Sequence, residues 1–558
     1  CILERDIETG LSILATGNGR CNVSNSRLDA RRYRHPDTVR KIFGTTPERD
    51  VATFLESTGI ATAEEGEGGL YPMSRRADSV RDALLNTCRR EGITVMACAE
   101  PKRHVTGPTG LHEFTVDQAR LPLSHKPGRD EKARIRNARK ALATADRLDH
   151  KVLARAVVLA CGGTSGASCE ILNLPHVAEA PVLCPIACTL PPSGDDETGG
   201  RNLLQGLDGL RVDCMLTLMR DGAAVAFEQG EVLFRPYGIS GIAAFNLSRR
   251  IEAGDQIELD LFPEMNEQGL TRFLARRAET IGNFDGSPRW FDGLLARPLA
   301  ALVCDAVAGT ERPLNRAASM LHRIPLRVAG TTEHAQAQVR RGGVPLSAME
   351  LDTLAVHPIS TDENAPQAPI YACGEAIDMD ADCGGYNLAW AWLTGVRAGA
   401  AAAVTHRHGT SDSPRSPMLE ISQISCRLAD GGDERSCIEA CTREALSILR
   451  CRRADIERIE LRRKSIDARK KSNVHFTLSA LVHLASEVDE ADLLSRLSDR
   501  DRKRVRAVDA DDPSFPAPVQ DGLCEHRPVV VGAGCAGLFA ALTLAEAGLR
   551  PILLERGD

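Results

Sequence analysis

The chain has 558 residues, 43% hydrophobic and 26% charged, with a net charge of −7, the balance of an ordinary folded protein of about three or four domains. The negative charge argues against a protein that coats nucleic acid or holds a membrane through a polybasic surface. No apolar run approaches the roughly 20 residues that span a bilayer, and no signal peptide is visible, although the first residue is Cys and not Met.

The 18 cysteines are scattered without a C-x-x-C pair and suit reduced, mostly buried thiols of a cytoplasmic protein. No His or Cys pair has zinc-ligand spacing, so no metal is expected. In chain order, Cys1-Ile-Leu-Glu4 reads as the end of a strand that closes on an acid, and residues 11–25 as a Gly-punctuated loop behind it. Residues 36–58 read as helical, from Pro36 to a stop at Gly59. Ser74 is placed to cap a helix over 75–91 that ends at Gly92, and 93–98 follows as a strand. The charged stretch 125–151 is a helical or mobile insertion, and Arg155–Gly163 is a buried strand entering a second Gly turn. Strand-like runs at 212–218, 224–234 and 256–261 give way to helical patterns over 266–323, which suggests an inserted domain with a β part and a small helical part. Residues 369–405 return to strand, Gly turn and long helix. Residues 409–417, rich in Ser and Pro, are the best linker in the chain. Beyond them, 418–526 forms a separate α+β segment, whose basic run 462–471 reads as a solvated face in preference to a phosphate contact.

The last 32 residues are the most informative. Val529–Val531 is a short β-branched run suited to a strand buried on both faces. Gly532, Gly534 and Gly537 then give G-x-G-x-x-G: the first permits a tight turn, the second close approach to a pyrophosphate, and the third close packing of helix 535–548 on the strand. The helix N-terminus offers unpaired N–H groups to phosphates. Glu555, 23 positions after Gly532, closes the next strand near the spacing expected for a ribose-binding acid. The context is that of a βαβ dinucleotide-binding unit.

Four blocks carry a family pattern: Gly17-Asn-Gly-Arg-Cys-Asn-Val-Ser-Asn25, Leu70-Tyr-Pro-Met-Ser-Arg-Arg-Ala77, Gly230-Glu-Val-Leu-Phe-Arg-Pro-Tyr-Gly-Ile-Ser-Gly241, and Gly374-Glu-Ala-Ile-Asp378 with Gly384-Gly-Tyr-Asn-Leu-Ala-Trp-Ala-Trp392. On these blocks, segment 1–405 resembles the HI0933-like flavoproteins, FAD-dependent oxidoreductases of the BaiN and aminoacetone oxidase type. Two departures stand out. The family's opening strand, Gly-rich turn and first helix are absent before Cys1, and the turn after Leu159–Gly163 is shorter and less regular than the family pattern. Segment 418–558 resembles the start of uncharacterised FAD-dependent dehydrogenase-like proteins, on Arg463-Lys-Ser-Ile-Asp-Ala-Arg-Lys-Lys471 and on 527–558.

The implied fold class is α/β. A Rossmann-like, three-layer FAD-binding domain with a parallel sheet (1–179 and 346–408) carries an inserted β-barrel-like plus helical domain (180–345). A linker (409–417), a small α+β domain (418–526) and the start of a second FAD-binding domain (527–558) follow. This reads as a fusion of two flavoproteins. The rival is a circular permutation in which 527–558 folds back into the first sheet. It is disfavoured because the acid-ended strand would then be present twice, as Cys1–Glu4 and Pro551–Glu555, and one copy would be displaced. Docking stays physically open, since a sheet with an empty central position exposes unpaired backbone groups.

The resemblance implies FAD as cofactor. Glu4 stands where a ribose-binding carboxylate belongs. Gly17 and Gly19 let backbone N–H groups approach a phosphate or the flavin ring, Arg20 brings a fixed positive charge, and Asn22 offers both donor and acceptor. A structural hydrogen-bond network is the alternative for Arg20 and Asn22, and a packing thiol is preferred to a redox role for the neighbouring Cys21. Gly162 and Gly163 mark where the chain leaves the sheet beside the cofactor. Gly374, Glu375 and Asp378 follow a strand, with Asp378 placed for ribityl hydroxyls. Gly384, Gly385, Tyr386 and Asn387 open a helix whose N-terminus can stabilise charge on the ring. Trp390 and Trp392 read as core. Tyr237, Ser240 and Tyr71 are weak candidates for proton donation, and no Ser/His/Asp set or P-loop Lys appears. The expected function is hydride transfer between a small organic substrate and flavin, by enone reduction or amine oxidation, with NAD(P)H as an electron donor to be considered. The alternatives are a flavin-binding or assembly protein without turnover and, more weakly, an RNA-associated flavoprotein. The expected partner is a small molecule, with no nucleic acid and no membrane.

Overall fold

Apolar triplets that bury every side chain build the central sheet: Val157–Leu159, Ile370–Ala372 and Val529–Val531 are all fully buried, as a parallel sheet covered on both faces requires. The computed structural model describes residues 2–4, 7, 9–107, 110–120, 131–190, 203–332, 337–359, 368–408, 418–427, 434–467, 475–485, 488, 490–502, 504–508, 527–549 and 551–555. It divides into two units, residues 1–402 with 520–558, and residues 403–519. The predicted linker 409–417 and part of the basic run, 468–471, lie outside the described residues.

In the first unit the seven-stranded sheet has the order Ala355–Val356, Ile370–Ala372, Val157–Leu159, Val529–Val531, Ile552–Glu555, Ile2–Glu4, Thr94–Ala97. All neighbours are parallel except the first pair. The expectation that 527–558 starts a separate domain is therefore corrected. Its two strands fill the gap between Val157–Leu159 and Ile2–Glu4, with Val530 opposite Val158 and Leu553 opposite Ile2. Nor is either acid-ended strand displaced. The sheet widens by one position, and Glu4 and Glu555 lie side by side in register. The reason is backbone hydrogen bonding: without the terminal strands, two central strands would each present a row of buried unpaired N–H and C=O groups.

The terminal helix Cys535–Glu546 is buried almost all round. Phe539 stacks between Phe54, at 3.8 Å between ring centroids, and Trp392, at 4.1 Å. The long helix Tyr386–His408 meets it through glycines. A Cβ at Gly399 would lie 2.6 Å from the Ala540 carbonyl oxygen, and one at Gly395 would overlap that of Ala536. The Trp390 indole donates to Gly374 O at 3.0 Å and that of Trp392 to Val23 O at 2.7 Å, so both are core residues that also pin loops.

The insertion forms a closed six-stranded antiparallel barrel in the order Ile186–Thr189, Gly238–Ser240, Ala223–Arg235, Arg211–Arg220, Gln256–Asp260, Ile324–Thr331. Its core includes Leu216, Val232, Phe234 and Leu259. Three helices, Glu267–Ile281, Arg297–Val307 and Pro313–His322, enclose a second core around Phe291 and Leu321. The charged stretch becomes a helix, Glu131–Leu142, and a strand, Arg147–Ala154, in a three-stranded sheet with Ala99–Thr106 and His112–Ala119. Three local expectations change. Residues 36–58 are two helices, Pro36–Phe43 and Pro47–Ser57, separated at Gly44 (φ 69°), the loop at 11–25 opens with a short helix, Leu11–Ala15, and the helix expected over 75–91 runs Ala77–Arg90 with Arg76, not Ser74, at its N-cap.

The second unit is a four-stranded antiparallel sheet, Ile456–Asp467, His475–Leu484, Met418–Arg427, Val505–Val508, packed on the helix Glu434–Leu449. Among the described residues no helix is long and apolar enough to cross a membrane.

Two outcomes follow from this packing. Gly537→Ala places a Cβ against the Gly532 carbonyl oxygen and should cost about 1–3 kcal/mol through overpacking, read from urea denaturation; an unchanged midpoint would show that the terminal helix is not docked. His104 and His112 share a 2.8 Å contact, and burial holds each at about 4, His112 also repelled by its partner. Their unfolded value is about 6.5. The unfolded chain therefore binds more protons below that, and stability should fall as the pH drops from about 6.5 towards 4. His104→Phe combined with His112→Leu should flatten this part of the profile.

Candidate functional site

The parallel strands Val157–Leu159, Ile370–Ala372 and Val529–Val531 deliver their following turns to the same edge of the sheet, where open α/β sheets place ligands. The three motif glycines there have different surroundings. A Cβ at Gly532 (φ 105°) would overlap the Ala160 carbonyl, and one at Gly537 the Gly532 carbonyl. At Gly534 the nearest atom would be Ser12 Oγ, 3.8 Å away. Gly532 and Gly537 thus lock turn, strand and helix together, while Gly534 faces open space. Gly162 (φ 71°) and Gly19 (φ 83°) also face space, with no atom of the described residues within 4 Å of the Cβ position.

The other candidate loops converge on this turn. A Cβ at Gly374 would stand 2.6 Å from Ala536 Cβ, and one at Gly163 would stand 2.7 Å from Glu375 Oε1. The Cys535 thiol is pushed well above its ordinary value, by burial first and then by the neighbouring Cys21 and Glu375. Cys21 itself, fully buried in a left-handed conformation (φ 57°), is raised to about 11 by burial, so both thiols stay protonated and unreactive. Gly385 lies against the Ser24 carbonyl, and a Cβ there would be 2.9 Å from Asn22 Oδ1. The backbone N–H of Asn22 would stand 3.1 Å from a Cβ at Gly17. Asn25 Nδ2 donates to Gly384 O at 3.0 Å. Gly17–Asn22, Gly162–Gly163, Gly374–Glu375, Gly384–Gly385 and Gly532–Gly537 therefore form one connected rim.

Other candidates have protein partners. Arg20 pairs with Glu65 at 2.6 Å and lies over the Tyr71 ring, 4.5 Å from its centroid. Glu375 accepts from the Arg340 backbone at 2.6 Å. Asp378 accepts from Arg34 at 2.5 Å and from Gly342 N–H at 2.9 Å. Asn387 pins the preceding loop, accepting from Ala381 N–H at 2.9 Å and donating to Ala381 O at 3.0 Å. Tyr386 is buried, and its own carbonyl receives the Tyr33 hydroxyl at 2.9 Å. The backbones of Glu4 and Glu555 end adjacent strands. Tyr237 and Ser240 sit on the barrel, at and beside the short strand Gly238–Ser240.

Sequence reasoning missed an ion network beside the rim. Arg249, with its side chain 5% exposed, meets Asp380 at 2.6 Å and also pairs with Asp382. Arg341 meets Asp380 at 2.7 Å. Burial opposes ionisation of Asp380, yet Arg341 and Arg249 outweigh it and hold its carboxyl below the usual value. The alternation Asp378-Met-Asp380-Ala-Asp382 was the available signal, but its arginines come from 32–34, 249 and 341, far away in the chain. Arg249→Ala strands two buried carboxylates and should cost about 3–5 kcal/mol at neutral pH. The deficit should shrink in acid, because stabilisation of Asp380 is full above about 3.9 and is lost as pH falls through its depressed value. Urea midpoints at pH 7 and pH 3.5 check this.

Comparison with known proteins places this geometry. Residues 199–339 match the family model described as HI0933-like protein barrel and H2TH domain, and residues 527–558 match an FAD binding domain. Residues 418–483 match a domain of unknown function. The chain is 26% identical over 422 residues to a 3-dehydro-bile acid delta(4,6)-reductase of Clostridium scindens, an alignment covering 72% of this chain and 92% of that protein. It is 21% identical over 415 residues to a ribosomal RNA dihydrouridine synthase of Haemophilus influenzae, covering 70% and 89%. A protein of Clostridium beijerinckii is 41% identical over 108 residues, or 19% of this chain and 18% of that one. The chain thus resembles HI0933-like, BaiN-type flavoproteins, a likeness carried by the barrel segment 199–339, by the FAD-binding segment 527–558 and by the alignment to the bile acid reductase.

The residues present fit FAD. Gly534, Gly19 and Gly162 leave backbone accessible where phosphates and a planar ring would come close, and the buried Asn22 Oδ1 and Ser24 Oγ have no hydrogen-bond partner among the described residues. Buried polar atoms are rarely left so. An FAD hydroxyl or ring N–H would satisfy them.

Proposed function

We propose that the protein uses FAD to transfer hydride between a small organic substrate and the flavin, working as a reductase of conjugated double bonds. The carrying observation is the connected glycine rim, in which the turn Gly532–Gly537 meets Cys21, Glu375 and Gly374 and the loop 17–25 meets Gly384–Gly385. Bound FAD would supply the site of hydride acceptance and donation. The protein's own part is to bind and orient. Backbone N–H groups around Gly534 and at the start of the terminal helix would hold the pyrophosphate, Asn22 and Ser24 would fix the ring edge, and the start of the helix Tyr386–His408 would favour negative charge there. One relative is named as a reductase of a bile acid and another as a maker of dihydrouridine in ribosomal RNA. Reduction is common to those names and favours the reductive direction over amine oxidation. NAD(P)H is the proposed electron donor and a small molecule the proposed substrate. Reduction of a base in RNA is the second reading, supported by the second name.

Purified protein should be yellow, bleach with NADPH without oxygen, and recover with a small enone. Colourless protein that takes up no added FAD would sink the proposal, and recovery only with RNA would favour the second reading. Gly534→Ala, whose Cβ meets open space in the protein alone, should leave the unfolding midpoint unchanged and weaken FAD binding by about tenfold or more, roughly 1.4 kcal/mol.

A further inference from the structure

The barrel strand Ala223–Arg235 alternates, and Ala226, Val232 and Phe234 face the apolar core. Glu228 falls on the same alternation, so a carboxylate occupies an inward position, with its side chain only 12% exposed. Two groups compensate it there. Asn246, on the helix Ile242–Ser248, donates from Nδ2 at 3.3 Å, and Arg250 approaches at 3.2 Å. Asn246 is itself only 6% exposed, and its other amide atom is engaged: Oδ1 accepts the backbone N–H of Cys383 at 2.7 Å. Cys383 immediately precedes Gly384–Gly385, the turn that lies against Asn22 and Ser24 of the candidate flavin loop. One side chain thus joins an acid inside the barrel to the backbone that shapes the cofactor rim.

We propose that Glu228 and Asn246 are positioning residues: through the Cys383 amide they hold the Gly384–Gly385 turn in register with the flavin, and the charge on Glu228 is felt at the flavin through that turn. This rests on the reading of the rim as an FAD site. The amide of Asn246 is what makes the link directional. Its N–H₂ must face Glu228 and its oxygen must face Cys383, so losing either partner frees the other. The setting also makes Glu228 responsive. Burial and then Asp382 raise its carboxyl, while Asn246 and Arg250 oppose the rise. Among the described residues, the charged and titratable groups that face this cluster include Arg250 beyond the helix, Arg249, which pairs with Asp382, Arg32, and Asp382 and Cys383 on the turn. The Cys383 thiol is raised to about 12 by burial, so it stays neutral. Tyr386, next along, is raised by burial against the pull of Arg32 and likewise keeps its proton. Guanidinium groups in general stay charged across this range. Glu228 is thereby a group of this cluster whose change of charge is moved above the usual glutamate value of about 4.3.

The test uses the full chain loaded with FAD and reads flavin affinity, the visible spectrum from pH 4.5 to 8, and amide exchange at Cys383. Asn246→Ala should weaken FAD binding by about tenfold, the effect of losing one buried hydrogen bond, and speed Cys383 exchange by a similar factor. Glu228→Gln keeps a group of the same shape. It should bind FAD within about twofold of the parent while abolishing a spectral titration that the parent shows above pH 4.3. Asn246→Asp keeps an acceptor for Cys383 but faces Glu228 with a like charge, so it should recover parental affinity only towards the acid end. If FAD binds and both Asn246→Ala and Glu228→Gln match the parent in spectrum, affinity and exchange, the relay is overturned while the flavin reading stands. If the parent binds no FAD, both fall together.

Discussion

Backbone hydrogen bonding at the centre of a parallel sheet governs this molecule. Val157–Leu159 and Ile2–Glu4 do not pair with each other; Val529–Val531 and Ile552–Glu555 stand between them. Each inner strand of such a sheet must pair on both sides, because its faces are covered and water cannot reach the exposed groups. Pairing also sets where the turns emerge. With Val531 opposite Leu159 and Cys373 N–H bonded to Leu159 O at 3.0 Å, the three Gly-bearing turns are bound to leave together. The common rim is thus a consequence of register.

Small residues then turn register into contact. Gly395 and Gly399 let the terminal helix approach backbone to backbone, and Phe539 takes the space between Phe54 and Trp392. Around the crevice the glycines divide into two kinds. Gly532, Gly537, Gly374 and Gly385 are pressed against protein atoms, whereas Gly534, Gly19 and Gly162 border space. The first kind holds the site together, and the second leaves its surface open to a ligand.

Much of this was legible in the sequence because it is local. The G-x-G-x-x-G turn, the buried apolar triplets, the alternation of the barrel strands and the apolar long helix each depend on neighbouring residues. What could not be read was pairing at a distance. Duplication of the acid-ended strand argued for two separate domains, yet the sheet accommodates both copies side by side, because nothing in a strand's sequence limits how many neighbours of its kind a sheet admits. Arg20, Asp378 and Asn387 were legible as polar groups in the right loops, but their partners Glu65, Arg34 and the Ala381 backbone are set by tertiary structure. Glu228 was invisible for the same reason: an acid inside a barrel strand looks like an ordinary solvent-facing residue until Asn246 and Cys383 are placed beside it.

The seating of Phe539 between Phe54 and Trp392 has a consequence for how the chain reaches this state. The contact with Phe54 joins residues separated by most of the polypeptide, and neither contact can form until the segment carrying Phe539 has been synthesised. The barrel and its helices, being contiguous in sequence, are free to fold early. The nucleotide-binding layers must wait with two strand edges unpaired, for tens of seconds at ordinary translation rates of about 5–20 residues per second. Such long-range closure is slow, and the unpaired strand edges stay open to self-association until it is complete.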